Sequence, residues 1–219
     1  MIKAVIFDLD GTLLDRDTSL RRFVEDQYDR YFAGDGPIAK TKYADRFIEL
    51  DNRGYVWKDK VYQELIKELA IDQLTWEALL QDYLDSFPKF AVAFPNTAEL
   101  LSWLRGQKIK IGMISNGYTQ FQTDNLRALG LEHYFDEILI SEREGVRKPD
   151  QEIFRRALER LKVRAEEAIF VGDHPLNDVQ ASIDAGMKGI WKKDPFYQQE
   201  VSASGIIEDL LEVQELIKA

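Results

Sequence analysis

Short apolar segments recur along this chain, and each of them stops at glycine or at polar residues. The first covers residues 2–7 and runs into Asp8, Asp10 and Gly11. Further segments cover residues 109–114, 137–140, 168–171, 189–191 and 206–207, and helical patterns at 121–129, 151–161 and 179–185 separate several of them. Continuous apolar runs are typical of strands that are buried on both faces of a parallel sheet. Their alternation with helices predicts an α/β fold with a doubly wound, mainly parallel, Rossmann-like sheet.

One long segment interrupts this alternation. Between about residues 17 and 87 we predict no strand, because apolar residues recur at helical spacing instead. One stripe consists of Trp57, Val61, Leu65, Ile66 and Leu69, and a second of Phe23, Val24, Tyr28, Tyr31 and Phe32, followed by the turn signal Gly34-Asp35-Gly36-Pro37. The segment is too long for a loop in a compact domain. We therefore expect a bundle of three to five helices at residues 16–88, inserted into a core formed by residues 1–15 and 89–219.

The composition narrows the range of partners and locations. The chain has 219 residues and a formal net charge of −10, so we expect neither nucleic acid nor an anionic membrane as a partner. It contains no cysteine, which excludes disulfides and thiolate metal sites and favours an intracellular protein. No apolar run approaches the roughly 18 residues of a membrane helix, and the N-terminal run is too short for a secretory signal. A cytoplasmic location is therefore expected.

Polar residues of particular kinds lie at the ends of the predicted strands. They are Asp8 and Asp10; Ser115 and Asn116; Lys148, which precedes Pro149; and Asp173 and Asp178. In open α/β sheets, ligands bind at the carboxyl ends of the strands. These residues are therefore predicted to form one site.

The residue types in this set suit the cleavage of a phosphate ester. A carboxylate such as Asp8 is repelled by a phosphate dianion, so the site must supply positive charge. Magnesium prefers carboxylate and carbonyl oxygens, which Asp8, Asp173 and Asp178 offer, and Lys148 adds a second positive charge. Ser115, at a predicted helix N-terminus, can bind phosphoryl oxygens. With Asp8 as the nucleophile, Asp10 is placed to act as the general acid and base.

Four motifs of the chain, in the same order, resemble those of the haloacid dehalogenase-like hydrolase superfamily. The motifs are Phe7-Asp8-Leu9-Asp10-Gly11-Thr12-Leu13, Ile114-Ser115-Asn116-Gly117, Lys148-Pro149, and Val171-Gly172-Asp173 with Asp178 following. The resemblance spans most of the chain outside residues 16–88, and it implies that this insertion is a cap domain and that the first strand is central in the sheet.

The same resemblance implies a phosphatase that acts on a small phosphorylated metabolite through an aspartyl phosphate. Asp8 is then the nucleophile and Asp10 the acid and base. The phosphate-binding residues are Ser115, Asn116 and Lys148. Asp8, the backbone carbonyl of Asp10 and Asp173 hold Mg²⁺, and Asp178 supports that metal site.

Other functions stay open at this point. Haloacid dehalogenases share the fold and the nucleophile but lack the second acid, so Asp10 favours phosphoryl transfer. A phosphomutase is possible on the same chemistry, although no feature favours it. A receiver module, with its phosphorylated aspartate, is disfavoured by the insertion, and a non-catalytic relative is disfavoured because Asp8, Asp10, Lys148 and Asp173 are all present. His174 can either contact solvent or substrate, or lie at a helix start. One of Arg16, Arg21 and Arg22 could reach a substrate, but a solvent-facing helix surface is expected for them.

Overall fold

The computed structural model describes residues 1–32, 38–199 and 201–218. The chain divides into two compact units, Met1–Asp15 with Ala93–Ala219 and Arg16–Val92. The second unit extends past residue 88, because Phe87 and Phe90 pack against Phe23. Their ring centroids lie 6.0 and 5.9 Å from that of Phe23. The backbone N–H of Val92 also donates to the Ser19 hydroxyl at 2.9 Å. The turn predicted at residues 34–37 lies outside the described residues.

The unit Arg16–Val92, called the helical unit below, contains no strand among its described residues. Its helices are α1 (Arg16–Phe32), α2 (Lys40–Asp51), α3 (Lys58–Leu69) and α4 (Trp76–Ser86), with short 3₁₀ helices at Asn52–Gly54 and Phe87–Phe90. The predicted stripes are partly wrong. Trp57 precedes α3, and Tyr62 rather than Ile66 is buried on it. Tyr31 is 38% exposed in the last turn of α1, where its ring contacts the Arg30 guanidinium.

The other unit is built on one sheet of six parallel strands. The strands are β1 (Ala4–Phe7), β2 (Lys110–Ser115), β3 (Glu137–Ile140), β4 (Ala168–Gly172), β5 (Lys188–Lys192) and β6 (Gly205–Ile207). Their order is β3-β2-β1-β4-β5-β6, and every neighbouring pair is parallel. The predicted α/β class with a parallel, Rossmann-like sheet is confirmed, and β1 lies between β2 and β4.

Helices connect and cover these strands. They are α5 (Thr97–Gly106), α6 (Thr119–Ala128), α7 (Ser141–Glu144), α8 (Gln151–Leu161), α9 (Ala181–Asp184) and α10 (Glu212–Lys218). Helix α8 is N-capped by the Asp150 carboxylate and ends at left-handed Lys162. Its buried face packs on the sheet, where the ring of Phe154 lies edge-on to the ring of Phe170. Their centroids are 5.2 Å apart. Burying a side chain of this size contributes about 1.5–3 kcal/mol.

The helix predicted at residues 179–185 begins earlier than expected. A π-helical turn at Pro175–Gln180 precedes α9, and the His174 side chain caps it by accepting from the N–H groups of Leu176 and Asn177. The proline at the first helical position is compatible with a helix start, because its missing N–H needs no partner there. Among the described residues, no helix combines the length and the apolar character needed to cross a membrane.

Candidate active site

The carboxyl ends of β1, β2 and β4 lie level with one another. Phe7 is in register with Met113 on one side and with Val171 on the other. One residue further, the Asp8 N–H still donates to the Val171 carbonyl at 2.9 Å. The polar residues that follow these strands are therefore brought to one edge of the sheet.

A tight turn after β1 carries the first two aspartates. The N–H groups of Leu13 and Leu14 both donate to the Leu9 carbonyl, which closes the turn. Gly11 has φ +84° at its centre, and a Cβ there would lie 2.5 Å from an Asp173 carboxylate oxygen. A side chain at position 11 would therefore be strained and would also displace Asp173, so glycine is required for both reasons.

Lys148 links two of the carboxylates at this edge. Its ammonium lies 2.6 Å from Asp8 Oδ1 and 2.6 Å from Asp178 Oδ1. Asp8, Asp173 and Asp178 each offer a carboxylate oxygen within 4.8 Å of the others, and all three are buried. We call these four residues the acid-rich cluster, because they comprise three carboxylates and one ammonium.

The surroundings of Asp8 and Asp173 disfavour the ionised forms of these two carboxyl groups. Burial raises the pKa of Asp8 to about 7, against the lowering effect of Lys148 and with further raising by Asp178 and Asp10. Burial also raises the pKa of Asp173 well above its usual range, and Asp8 and Asp178 add to the effect. Burial would by itself lower the pKa of Lys148, but Asp178 and Asp8 outweigh it and raise that pKa, so the ammonium stays protonated.

A divalent cation fits this arrangement. The donor set consists of buried carboxylate oxygens, which are the ligands that Mg²⁺, Mn²⁺ and Ca²⁺ prefer. The carboxylates outnumber the ammonium, and a cation between them would favour their ionised forms. Asp10 does not belong to this set through its side chain, and a ligand role for its backbone carbonyl stays a prediction.

The residues after β2 have different surroundings. The Asn116 side chain accepts from the Lys148 backbone N–H at 2.9 Å and donates to the Lys148 carbonyl at 3.0 Å. It thereby holds the backbone that carries the Lys148 ammonium. The Ser115 hydroxyl is buried and accepts from the Gln122 side chain at 2.7 Å. Phosphate binding by Ser115, Asn116 and Lys148 stays a prediction.

Sequence reasoning missed several residues that hold the site together. Gln122, in the first turn of α6, donates to both Asp10 and Ser115. Lys192, at the end of β5, donates to the Gly11 carbonyl at 3.1 Å, and its ammonium lies 3.3 Å from the centroid of the Phe94 ring. The Trp191 indole donates to the Asp173 carbonyl at 2.8 Å. The only signal in the sequence was their place near strand or helix ends, which many residues share.

His174 has the helix-start role that the sequence left open. Its Nδ1 accepts from two backbone N–H groups, and the backbone N–H of His174 donates to Asp178 Oδ2 at 3.0 Å. Burial lowers the pKa of the imidazole. Of the three arginines considered on α1, Arg16 binds Asp51 and Arg21 binds Asp45, both within the helical unit.

Comparison with known proteins identifies a family and several similar proteins. Residues 5–192 match the family model described as haloacid dehalogenase-like hydrolase. The chain is 27% identical to a glyceraldehyde 3-phosphate phosphatase of Methanothermobacter thermautotrophicus, over 99% of this chain and 100% of that protein. A phosphatase of Thermococcus onnurineus has a similar structure, with a TM-score of 0.68 at 29% identity over 99% and 98% of the two chains. A 2-haloacid dehalogenase of Pseudomonas syringae gives a TM-score of 0.64 at 26% identity, over 100% and 99%.

Proposed function

The chain belongs to the haloacid dehalogenase-like hydrolase family, and from that premise we propose that this phosphatase hydrolyses a small phosphomonoester metabolite with Mg²⁺ as its cofactor. The acid-rich cluster carries the proposal, because Lys148 contacts Asp8 at the end of β1 while Asp173 and Asp178 offer oxygens to a metal. In this proposal the helical unit is the cap domain. The cysteine-free sequence favours a cytoplasmic location for the enzyme.

In the first step, a carboxylate oxygen of Asp8 attacks the phosphorus atom of the ester. The bond between phosphorus and the leaving-group oxygen breaks, and the Asp10 carboxyl gives its proton to that oxygen. An alcohol leaves and an aspartyl phosphate remains on Asp8. Asp10 suits the acid role because it lies two residues beyond Asp8 on the same turn.

In the second step, water attacks the phosphorus atom of the aspartyl phosphate. The Asp10 carboxylate takes a proton from the water as its oxygen bonds to phosphorus, and the bond to Asp8 breaks. Inorganic phosphate leaves, Asp8 is again a carboxylate and Asp10 is again protonated. One residue therefore acts as acid and then as base.

Positive charge must offset the repulsion between Asp8 and the phosphate group. Lys148 supplies the chain's own share, since its protonated ammonium contacts the nucleophile at 2.6 Å. A Mg²⁺ ion held by Asp8 and Asp173, with the Asp10 carbonyl and with Asp178 in support, would add charge that stabilises the phosphoryl oxygens.

Dehalogenation is the alternative that the likeness to the Pseudomonas enzyme raises. A halide leaves as an anion and needs no proton, so that reaction has no use for a general acid at the leaving group. It also has no use for the excess of buried carboxylates beside Lys148. Both features favour phosphate ester hydrolysis.

The test is phosphate release from p-nitrophenyl phosphate and from a panel of metabolite esters that includes glyceraldehyde 3-phosphate, sugar phosphates and nucleoside monophosphates. Each is assayed with Mg²⁺, with chelator and with the Asp8→Asn variant, and chloride release from 2-chloropropionate is measured in parallel. We expect release that requires Mg²⁺ and is lost in Asp8→Asn. Chloride release without phosphate release, or phosphate release that survives thorough chelation, would overturn the proposal.

A further inference from the structure

Gln122 lies in the candidate active site but has no role in the reaction proposed above. It lies in the first turn of α6 and is 3% exposed. Its side-chain nitrogen is 2.5 Å from Asp10 Oδ2 and 2.7 Å from the Ser115 hydroxyl oxygen. An amide NH₂ group has two hydrogens, so each of these contacts can take one of them.

The Gln122 side chain is held from two further directions. Its oxygen accepts from the Asn125 side chain at 3.3 Å, which assigns the nitrogen to the side that faces Asp10. A Cβ on Gly117 would lie 2.9 Å from Gln122 Cγ, so the glycine at position 117 leaves the space that this side chain fills. The amide is therefore fixed before any substrate binds, as a group that orients another must be.

A fixed donor on one oxygen of Asp10 has a chemical consequence. Oδ2 accepts the hydrogen bond from Gln122, so the transferable proton of the acid form belongs on Oδ1. We propose that Gln122 is a positioning residue, which decides the oxygen from which Asp10 delivers its proton to the leaving group. This inference rests on the proposed function, in which the proton moves from Asp10 to the leaving-group oxygen as that oxygen separates from phosphorus.

The contribution of this proton depends on the leaving group. p-Nitrophenolate is stable as an anion, whereas an alkoxide is not and needs the proton as it leaves. Loss of the positioning contact should therefore affect kcat/KM for an alkyl phosphate far more than kcat/KM for an aryl phosphate. A residue with a purely structural role would lower both values by the same factor.

The experiment compares Gln122→Met with wild-type protein on glyceraldehyde 3-phosphate and on p-nitrophenyl phosphate. Well-placed acid catalysis contributes on the order of 10²- to 10⁴-fold, so we expect kcat/KM to fall by about 100-fold on the alkyl ester and by less than about 10-fold on the aryl ester. Gln120→Met is the matched control, because Gln120 is exposed on the same helix and bonds only to Asp124 among the contacts described. It should leave both values unchanged.

A second variant guards against a folding defect. Gln122→Leu also removes the NH₂ group and adds no charge, and it should give the same selective loss; the thermal midpoints of both variants are measured beside the kinetics. An equal loss of kcat/KM on the two esters in both variants, or no loss in either, would overturn the positioning role. In either case, activity of the wild-type protein would still support the proposed phosphatase. A wild-type protein without activity on either ester would instead contradict the proposed function, and with it this inference.

Discussion

Each unit of this protein buries a cluster of charged side chains, and the two clusters have opposite compositions. In the acid-rich cluster, three buried carboxylates lie close together, and the ammonium of Lys148 contacts two of them. In the helical unit, the Asp51 carboxylate accepts from the Arg16 guanidinium at 2.8 and 3.0 Å, forms a salt bridge with Lys58, and accepts from the Gly54 N–H at 2.9 Å. We call Arg16, Asp51 and Lys58 the cation-rich cluster.

The pKa values of the carboxylates also differ between the two clusters. Burial would by itself raise the pKa of Asp51, but Arg16 and Lys58 outweigh it and hold that pKa below its usual range. The pKa values of Asp8 and Asp173 are raised instead. The charges of the helical unit therefore stabilise their own carboxylate, whereas the acid-rich cluster favours a further cation. The first arrangement suits structure and the second suits function.

The largest expected effect is the loss of turnover when Asp8 is replaced. Asp8→Asn removes the nucleophile, so turnover should fall on the order of 10⁴-fold or more. The variant should still fold, because an amide relieves the crowding of carboxylates around Lys148. Turnover is measured with p-nitrophenyl phosphate and folding by circular dichroism. A variant with more than a tenth of wild-type activity would contradict the role of Asp8.

Asp51→Asn should have the converse effect. It removes the charge of a carboxylate buried between two cations, and breaking such a contact costs about 3–5 kcal/mol of unfolding free energy. Urea denaturation measures the loss, and activity per folded molecule should stay near that of wild type. Asp45→Asn on α2 is the matched control, since the salt bridge of Asp45 to Arg21 is exposed and its loss should cost at most ~1 kcal/mol. Equal losses in the two variants would remove the distinction between the clusters.

Addition of Mg²⁺ should stabilise the protein through the acid-rich cluster alone. At a concentration 100 times its Kd, a ligand that binds only the folded state adds about 2.7 kcal/mol. We expect wild type and Asp51→Asn to show the same rise in thermal midpoint with Mg²⁺ and Asp173→Asn to show none. If Asp173→Asn were stabilised as much as wild type, the ion would bind elsewhere.

The sheet and the residues at its edge were accessible from the sequence because their signals are local. Buried parallel strands read as continuous apolar runs, and the residue after each run must lie at the carboxyl edge. The segments at Glu137–Ile140 and Gln151–Leu161 were predicted with the bounds that the structure gives. The grouping of Asp8 with Asp173 followed from the same argument, whereas Lys148 lies beyond α7 and Asp178 lies in the π-helical turn, so neither directly follows a strand.

Contacts between distant residues were not accessible. Arg16 and Asp51 are 35 residues apart, and Gln122 and Asp10 are 112 apart, so no periodicity relates them. Arg16 was expected on a solvent-facing helix surface, and nothing local marks Asp51 as its partner. On α3, the sequence pattern placed Ile66 in the buried stripe and missed Tyr62 for the same reason. The Tyr62 hydroxyl donates to a side chain on another helix, and no local pattern shows this contact.

A smaller effect concerns pH. A carboxylate whose pKa is lowered in the folded state stabilises that state above its unfolded pKa and loses this contribution as pH falls through the folded pKa. The stability difference between wild type and Asp51→Asn should therefore be constant above the ordinary value of 3.8 and should shrink below it. Urea denaturation at pH 5 and pH 3 measures the difference, and a larger difference at pH 3 would contradict the lowered pKa.

The smallest effect concerns a buried network in the helical unit that is mostly uncharged. Gln27 Oε1 on α1 accepts from the Tyr43 hydroxyl on α2 and the Tyr62 hydroxyl on α3, each at 2.9 Å, while Gln27 Nε2 donates to Asp82 on α4 at 2.8 Å. Tyr62→Phe removes one donor, but Tyr43 still satisfies the Gln27 oxygen, so the loss should be about 1 kcal/mol. Tyr31→Phe, at an exposed ring of α1, should change little. A loss from Tyr62→Phe as large as that from Asp51→Asn would mean that neutral and charged contacts stabilise this unit equally, and the contrast with the acid-rich cluster would no longer depend on charge.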